Sequence, residues 1–389
     1  LYSAPSKSLI VIGVTGTKGK SSTVEFLNSI FEAAGHKTAL ASTIRMKVGD
    51  ESTPNLMRMT MAGRFFTQSF LAHARDAGCT VAFIEMTSEG SRQFRHRFID
   101  LDALVFTNLA PEHIESHGSF EAYANAKLEI GTQLTRSKKR PRYVVANAED
   151  TVGTRFLTLP VEHTLPFAIS AAHPTPSETS GTFTFEGTEL TINFPGTFSL
   201  ANALAAATLA RAMGIRVEQI KTGLSSLTKI PGRTEHIDAG QDFLVVVDYA
   251  HTPDSLKALY AAYGTRRKIC VLGSTGGGRD TWKRPVMGSI ANESCDHVIL
   301  TNEDPYDEDP RSIVDALARG MKNKKPEIIM DRRDAIRQAF TLATKGDVVL
   351  ISGKGTDPCI CGPKGSRLPW SDATVAREEL EKLKTTRES

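Results

Sequence analysis

One stretch constrains this chain more than any other: Ile10-Val-Ile-Gly-Val-Thr-Gly-Thr-Lys-Gly-Lys-Ser-Ser-Thr23. The apolar run Leu9 to Val14 reads as a short buried strand. Gly13, Gly16 and Gly19 break it, and a helical pattern begins at Lys20 and Ser21. Strand, glycine-rich turn, Lys-Ser and helix is the layout of a phosphate-binding loop, in which backbone N–H groups and the positive end of the helix dipole face the phosphates. Lys20 is placed to reach the outer phosphates, and the Ser21 hydroxyl to sit on Mg²⁺. The common spacing needs a glycine at 14, where this chain has Val; its glycine stands at 13. An ordinary turn between strand and helix needs neither the Lys-Ser pair nor three glycines, so nucleotide binding is the reading adopted.

Beyond the loop, Val24, Leu27, Phe31 and Ala34 mark one helical face, and Gly35 is a natural stop. Thr38 to Ser42 predicts a strand, 45–64 a long polar and Met-rich loop, and Gln68 to Ala77 a helix. Two more buried strands follow, Thr80 to Glu85 and Ala103 to Thr107, the second running into Asn108. Strands alternating with helices at this pitch imply a parallel, doubly wound sheet, whose ligands gather at the carboxyl ends of the strands. Glu85, Asn108 and the glycine-rich loop all lie at such ends. Ser119 is a candidate N-cap for a helix over Phe120 to Leu134 that carries Lys127, and Tyr143 to Ala146 predicts another strand. From 151 to 197 Thr, Ser, Pro and Gly dominate, and Thr182 to Phe194 alternates around a Glu-Gly turn, which predicts a small antiparallel insertion. Helices are expected over Ser199 to Met213 and Val217 to Leu227.

Pro231-Gly232 is the expected boundary between a first domain, 1–231, and a second, 232–389. A new α/β series begins there, with strands near 243–248, 268–272, 297–301, 327–330 and 347–351. Its helices are expected near 253–263, 283–293, 310–322, 332–344 and 372–384. It has its own glycine-rich turn, Gly273 to Arg279, without Lys-Ser. At 389 residues, 40% hydrophobic and 23% charged, the composition is that of a soluble globular protein. A formal charge of +3 gives no case for a nucleic-acid binder, and no apolar run approaches the ~20 residues of a membrane span. The five cysteines are odd in number and lack a Cys-x-x-Cys pair, so reduced thiols and a cytoplasmic location are expected. Cys359 and Cys361 flank one residue in an expected loop.

Several segments in one order then carry a resemblance. Gly13 to Ser22 resembles the ATP loop of the Mur ligases. Glu85-Met-Thr-Ser-Glu-Gly-Ser-Arg-Gln-Phe-Arg95 is similar to the family's Glu-Val-Ser-Ser-His-Gly segment with its following Gln-x-Arg. Phe106-Thr-Asn-Leu-Ala-Pro-Glu-His-Ile-Glu-Ser-His-Gly118 and Ala126-Lys127 resemble further family blocks, and Asn202 the second asparagine of a helix start where Ser199 replaces the first. Gly232-Arg233, Asp248-Tyr-Ala-His-Thr-Pro-Asp254, Arg279-Asp280, Lys283-Arg-Pro285 and Gly353-Lys-Gly355 resemble the MurE type, which adds the third residue of the peptidoglycan peptide.

The resemblance implies a P-loop ATPase domain followed by a Rossmann-like α/β domain. It also implies a reaction: a substrate carboxylate attacks the γ-phosphate of ATP, and an amino acid's amine displaces phosphate from the acyl phosphate. Positioning and charge neutralisation carry such phosphoryl transfer. By resemblance Lys20, Glu85, His113 and Lys127 are catalytic, with Lys127 carbamylated by CO₂. Ser21, Glu85, His113 and the carbamate would hold Mg²⁺. Gly16, Thr17, Lys18, Gly19, Lys20, Ser21, Ser22, Asn108, Asn202, Arg233 and Asp248 would bind ATP, with the two domains closing over it. Ser52, Thr53, Thr87, Gln93 and Arg95 would touch the acceptor, a UDP-MurNAc-dipeptide or related cell-wall precursor. Arg279, the segment Glu303-Asp304-Pro305-Tyr306, Gly353 and Asp357 would meet the incoming amino acid.

Three departures qualify the match. Only residues 1–12 precede the loop, where the family has a uridine-binding domain; an upstream segment, another protein or a different acceptor would each account for that. Glu89 replaces a histidine. Tyr306 stands where the diaminopimelate-adding enzymes carry an arginine, and it cannot make a bidentate pair with a distal carboxylate; Thr356-Asp357 replace His-Glu. Asp304, Asp307, Glu308 and Asp309 either receive a distal ammonium such as that of lysine or form a solvated acidic loop with an aspartate helix cap. Rival readings are a ligase similar to folylpolyglutamate synthase, a MurT-like amidating enzyme (disfavoured, since the cysteines do not make that family's four-cysteine zinc pattern) and a regulatory ATP-binding module without catalysis.

Overall fold

The computed structural model describes residues 2–57, 59–112, 114–278 and 280–388, with backbone alone for 114 and 386–388. Two compact units divide between Thr228 and Lys229.

The first unit is built on an eight-stranded sheet of β1 (Ile10–Thr15), β2 (Thr38–Ala41), β3 (Arg45–Val48), β4 (Glu51–Pro54), β5 (Val81–Glu85), β6 (Ala103–Phe106), β7 (Tyr143–Asn147) and β8 (His163–Phe167). Their order is β4-β3-β2-β5-β1-β6-β7-β8, parallel from β2 through β8. β1, β5 and β6 are buried on both faces, which is why they read as unbroken apolar runs rather than alternating ones. Helices α1 (Lys20–Ala33), α2 (Arg64–Asp76), α3 (Ser88–Arg92), α4 (Ile114–His117), α5 (Phe120–Arg136), α6 (Gly153–Leu157), α7 (Gly196–Ala212) and α8 (Val217–Ser226) complete the unit with a small antiparallel sheet, β9 (Thr175–Pro176), β10 (Gly181–Phe185) and β11 (Thr188–Ile192). Ser119 caps α5, its hydroxyl accepting from Ala122 N at 3.1 Å. A Cβ on Gly223 would stand 2.4 Å from Ile30 Cα, so the bare glycine lets α8 lie directly on α1.

Three expectations are corrected here. Gly13 does not break the first strand; it lies within β1, paired with Ile84 and Leu104, because the Met86 thioether occupies the space of its missing Cβ. The expected loop at 45–64 holds the β3–β4 hairpin, whose outer strand is solvent-exposed and polar and so lacks an apolar signature. His163–Phe167, read as insertion, is the last strand of the main sheet.

The second unit contains β12 (Glu235–His236), β13 (Leu244–Asp248), β14 (Lys268–Leu272), β15 (His297–Leu300), β16 (Glu327–Ile328) and β17 (Val348–Ser352), ordered β12-β13-β17-β14-β15-β16. All but β12 are parallel. Helices α9 (Pro253–Ala261), α10 (Lys283–Ser294), α11 (Pro310–Ala318), α12 (Arg332–Leu342) and α13 (Asp372–Glu388) accompany it, with a hairpin of β18 (Cys359–Cys361) and β19 (Arg367–Pro369). One apolar cluster joins α12 and α13 to the sheet and another joins α9, α10 and α11, so both faces are covered. Behind the sheet Arg332 and Asp372 form a fully buried pair at 2.7 and 2.8 Å. Cys270 and Cys295 are joined in a disulfide, against the expectation of reduced thiols: β14 and the end of α10 meet in one core cluster. Cys359 and Cys361 are in a strand, not a loop, and as residues i and i+2 they share a face, with sulfurs 3.8 Å apart. Among the described residues no helix is long and apolar enough to cross a membrane.

Candidate active site

The loop between β1 and α1 is clamped by the end of β6. Gly16 has φ +146°, and a Cβ there would stand 1.9 Å from Thr107 Oγ1. Thr17 N donates to Asn108 O at 2.8 Å, Lys18 N to the Asn108 side-chain oxygen at 3.0 Å, and Thr107 Oγ1 to Lys18 O at 2.6 Å. Gly19, at φ +82°, faces Asn202, whose Oδ1 would lie 2.1 Å from a Cβ. Asn108 and Asn202 thus shape the loop itself, from β6 and α7. Ser21 is buried and Ser22 half-buried in the first turn of α1. Lys18 pairs with the buried Glu112 at 3.0 Å.

Two amines converge on one carbonyl. Lys20 Nζ donates to Gly16 O at 3.0 Å and to Thr17 O at 2.9 Å; Lys127 Nζ donates to Gly16 O at 2.8 Å. Lys127 is 2% exposed and its Nζ lies 4.8 Å from the centre of the Tyr123 ring. Burial first, and the neighbouring Lys20 cation second, hold its pKa well below the ordinary lysine value. Tyr123 precedes Lys127 by one helical turn and hydrogen-bonds Thr17 Oγ1 at 3.0 Å. The sequence reading missed Tyr123 and Thr107. The i, i+4 spacing on a helix was the available signal for the first, and adjacence to Asn108 for the second.

Glu85 ends β5, in register with Val14 of β1, and is fully buried. Its oxygens accept from Thr43 N and Thr43 Oγ1, each at 2.9 Å, and among the described residues it has no ion pair. A dehydrated carboxylate without a cation, beside a phosphate loop, suits a hard divalent ion. Among the described residues no three His, Cys, Asp or Glu side chains gather as a ready metal site. The set the sequence implies includes His113, which lies outside the described residues, and a lysine that becomes a ligand only after modification.

Of the acceptor candidates, Thr87 caps α3, its hydroxyl accepting from Gly90 N at 3.0 Å. Arg95 hydrogen-bonds the Gln93 side chain and Met61 O, so these two sit together over the 55–61 loop. Ser52 and Thr53 are exposed on β4, where Arg45 reaches Ser52 Oγ at 3.1 Å.

Within the second unit, Asp248 ends β13 and accepts from Thr234 N and Ala250 N, both at 2.7 Å, while the Arg233 guanidinium lies 4.4 Å from the centre of the Tyr249 ring. Asp304 is buried and bound by Lys354 Nζ at 2.8 and 2.9 Å and by Cys361 N at 2.7 Å. Burial works to lower the Lys354 pKa, but Asp357 and Asp304 outweigh it and hold it raised. Glu308 grips Arg284, Asp307 accepts from Lys364 N at 2.7 Å, and Asp309 caps α11. These acids hold the loop together. Their neighbour Glu303 differs: it is 3% exposed, Oε1 takes a hydrogen bond from Thr275, and among the described residues Oε2 has no hydrogen-bond partner. Oε2 would lie 2.1 Å from a Cβ on Gly353, which follows β17. Burial raises its pKa, against the pull of Arg332 and Lys354. Tyr306 lines a neighbouring cleft of about 670 Å³ with Ile360 and Leu368. Arg279 lies outside the described residues.

A family model of the Mur ligase middle domain matches residues 14–210, and one of the Mur ligase glutamate ligase domain matches 232–355. The chain belongs to the Mur ligase family. UDP-N-acetylmuramoyl-L-alanyl-D-glutamate–2,6-diaminopimelate ligase of Bacillus cereus is 34% identical over 395 residues, spanning 97% of this chain and 79% of the relative. The ligase of the same name from Syntrophomonas wolfei is 35% identical over 395 residues, spanning 97% of this chain and 80% of its own. A solved structure of a ligase of that name aligns with a TM-score of 0.66 at 27% identity, over 97% of this chain and 79% of that one. The ADP complex of Mycobacterium tuberculosis folylpolyglutamate synthase shares the fold, with a TM-score of 0.72 at 16% identity over 90% of this chain and 89% of the other. Mur ligases are ATP-dependent amide-forming enzymes that use Mg²⁺, and this chain is one of the MurE type.

Proposed function

We propose that this Mur ligase joins the amine of an amino acid to the terminal carboxylate of a muramoyl-dipeptide cell-wall precursor, through an acyl phosphate. The observation that carries the reading is the pair of amines, Lys20 and Lys127, turned onto the backbone of one phosphate loop, with the cation-less carboxylate of Glu85 one strand away. A triphosphate and an attacking carboxylate repel each other, so the site must gather positive charge. Loop N–H groups and Lys20 bind the phosphates. Glu85, Ser21, His113 and Lys127 as its carbamate would hold Mg²⁺, which supplies charge neutralisation between the phosphates and the attacking oxygen. The buried Lys127 amine, whose neutral form is favoured there, would add through its nitrogen to the carbon of CO₂ and release one proton, and so change from a neutral group to an anion. Ser52, Thr53, Thr87, Gln93 and Arg95 form the acceptor side.

For the amino acid, Tyr306 offers no cation to a distal carboxylate, whereas Glu303 offers an unsatisfied carboxylate oxygen. The reading therefore favours an amino acid with a distal ammonium and no distal carboxylate over diaminopimelate, which carries both. Phosphate release from ATP tests this, with UDP-MurNAc-dipeptide, lipid-linked and folate acceptors crossed against lysine, ornithine and diaminopimelate. Release that needs both a muramoyl-dipeptide acceptor and a diamino monocarboxylate is expected. Release with folate and glutamate alone would move the chain to the folylpolyglutamate type, and no acceptor-dependent release would leave an ATP-binding module.

A further inference from the structure

Eleven large apolar side chains are exposed among the described residues, and seven of them fall in two short segments: Leu56, Met57, Met59, Phe65 and Phe66 in one, Phe94 and Phe98 in the other. The segments touch. Arg95 reaches Met59 Sδ at 2.7 Å, and Gln68, in the first turns of α2, donates to Phe98 O at 2.9 Å. Phe65 and Phe98 are 74% and 72% exposed. Phe94 and Phe98 also have φ of +56° and +66°, a backbone region that bulky residues avoid. Rings held there and left in water gain little inside the fold; such strain marks places where something outside is met.

Within the two segments the charge is of one sign, although Glu51, Glu89 and Asp100 flank them and Arg92 lies 4.0 Å from Glu89. Residues 52–70 and 90–99 contain five arginines, 58, 64, 92, 95 and 97, and no aspartate or glutamate. Arg97 stacks on Phe94, its guanidinium 4.1 Å from the ring centre. Exposed phenylalanine, leucine and methionine in turns and at the start of α2, in segments whose own charges are all arginine, is the chemistry of a surface that enters the headgroup layer of an anionic bilayer. The apolar tips insert, and guanidinium forks bind lipid phosphates.

We propose that this face docks on an anionic membrane surface, and that the acceptor it works on is attached to a lipid there. The second half rests on the ligase reading. Gln93 and Arg95 lie within the basic, aromatic turn, and Ser52 and Thr53 begin the other segment, so docking brings the acceptor side to the headgroup layer.

Co-sedimentation of the purified chain with vesicles tests the docking without any turnover. One set is phosphatidylcholine with about a third phosphatidylglycerol, the other phosphatidylcholine alone. At least tenfold more protein is expected on the anionic vesicles at low salt, with most released at high salt. Phe65→Ser with Phe98→Ser should cut binding about tenfold at low salt, and Arg64→Glu with Arg97→Glu should abolish the preference for anionic lipid. Both pairs are exposed, and ATP turnover with a soluble acceptor should be unchanged. In Phe65→Trp, emission should shift to the blue only with anionic vesicles. Equal binding to both vesicle types, binding indifferent to both double variants, or a solution dimer that Phe65→Ser with Phe98→Ser dissociates would overturn the proposal. Vesicle binding in a protein without acceptor-dependent turnover would overturn the ligase reading and leave the docking standing.

Discussion

Lys127→Met separates a catalytic amine from a structural one. Methionine nearly matches the lysine in length and volume and suits a helix. The change removes the 2.8 Å hydrogen bond to Gly16 O and the contact with the Tyr123 ring. A net hydrogen bond is worth about 1 kcal/mol, and a desolvated cation–π contact such as this one about 2 kcal/mol. Gly16 O is not orphaned, because Lys20 Nζ still donates to it at 3.0 Å. On the other side, the variant no longer buries an amine whose ionised form is disfavoured there, relieving about 1–3 kcal/mol of desolvation. The first unit should therefore hold its stability within about 1–2 kcal/mol, a few degrees in Tm for a unit of this size. Activity should fall about a hundredfold or more, as when an enzyme loses a group aimed at developing charge. Phosphate release and thermal unfolding are measured on the same preparation. Lys127→Glu should recover part of the activity, and ¹³C-bicarbonate should give a carbamate carbon signal in the parent that Lys127→Met lacks. Turnover within threefold of the parent, or a loss of activity that tracks a loss of folded protein, would refute the reasoning.

Gly16→Ala should cost more than the ~1–3 kcal/mol of an ordinary strained residue, because its Cβ meets Thr107 Oγ1 at 1.9 Å, and fluorescent-nucleotide titration should show ATP binding lost. Asp372→Ala should destabilise the second unit by about 3–5 kcal/mol in urea titrations by stranding Arg332, while Arg332→Met with Asp372→Leu should recover most of that loss. Glu303→Gln should raise the KM for a diamino acid at least tenfold with a smaller change in kcat. Its stability should also depend on pH in a set direction. The folded pKa of Glu303 lies above the unfolded value of about 4.3, so the native state holds the extra proton. Its stabilising contribution is complete below that value and is lost as pH rises through the raised one. Unfolding free energies from pH 4 to 8 should show Glu303→Gln gaining on the parent as pH rises; a parallel pair of curves would count against a buried, protonating Glu303.

Regular elements were legible wherever burial leaves a period in the sequence. β1, β5 and β6 are continuous apolar runs, α5 has its serine cap, and the second unit's parallel strands fell within a few residues of their expected places. The β3–β4 hairpin was not legible, since an exposed polar edge strand carries no hydrophobic pattern. Gly13 misled because sequence reads a glycine as a break, whereas here it makes room for Met86 across the sheet. The disulfide was invisible for a similar reason: Cys270 and Cys295 meet only after β14 and α10 have packed.

The sequence by itself determined the chemistry class. A phosphate loop, a strand-end glutamate and a helix-borne lysine are local patterns, written in residues close in the chain. Tertiary structure alone decided which side chains have capacity left to bind. Asp304, Glu308 and Asp309 look as available as Glu303 in a line of text, yet folding turns the first three onto Lys354, Arg284 and the start of α11. It leaves one oxygen of Glu303 unsatisfied beside Gly353. It also brings Lys20 and Lys127, 107 positions apart in the chain, onto one carbonyl. A carboxylate's partners are set by long-range packing and desolvation, and neither has a period that a sequence can display.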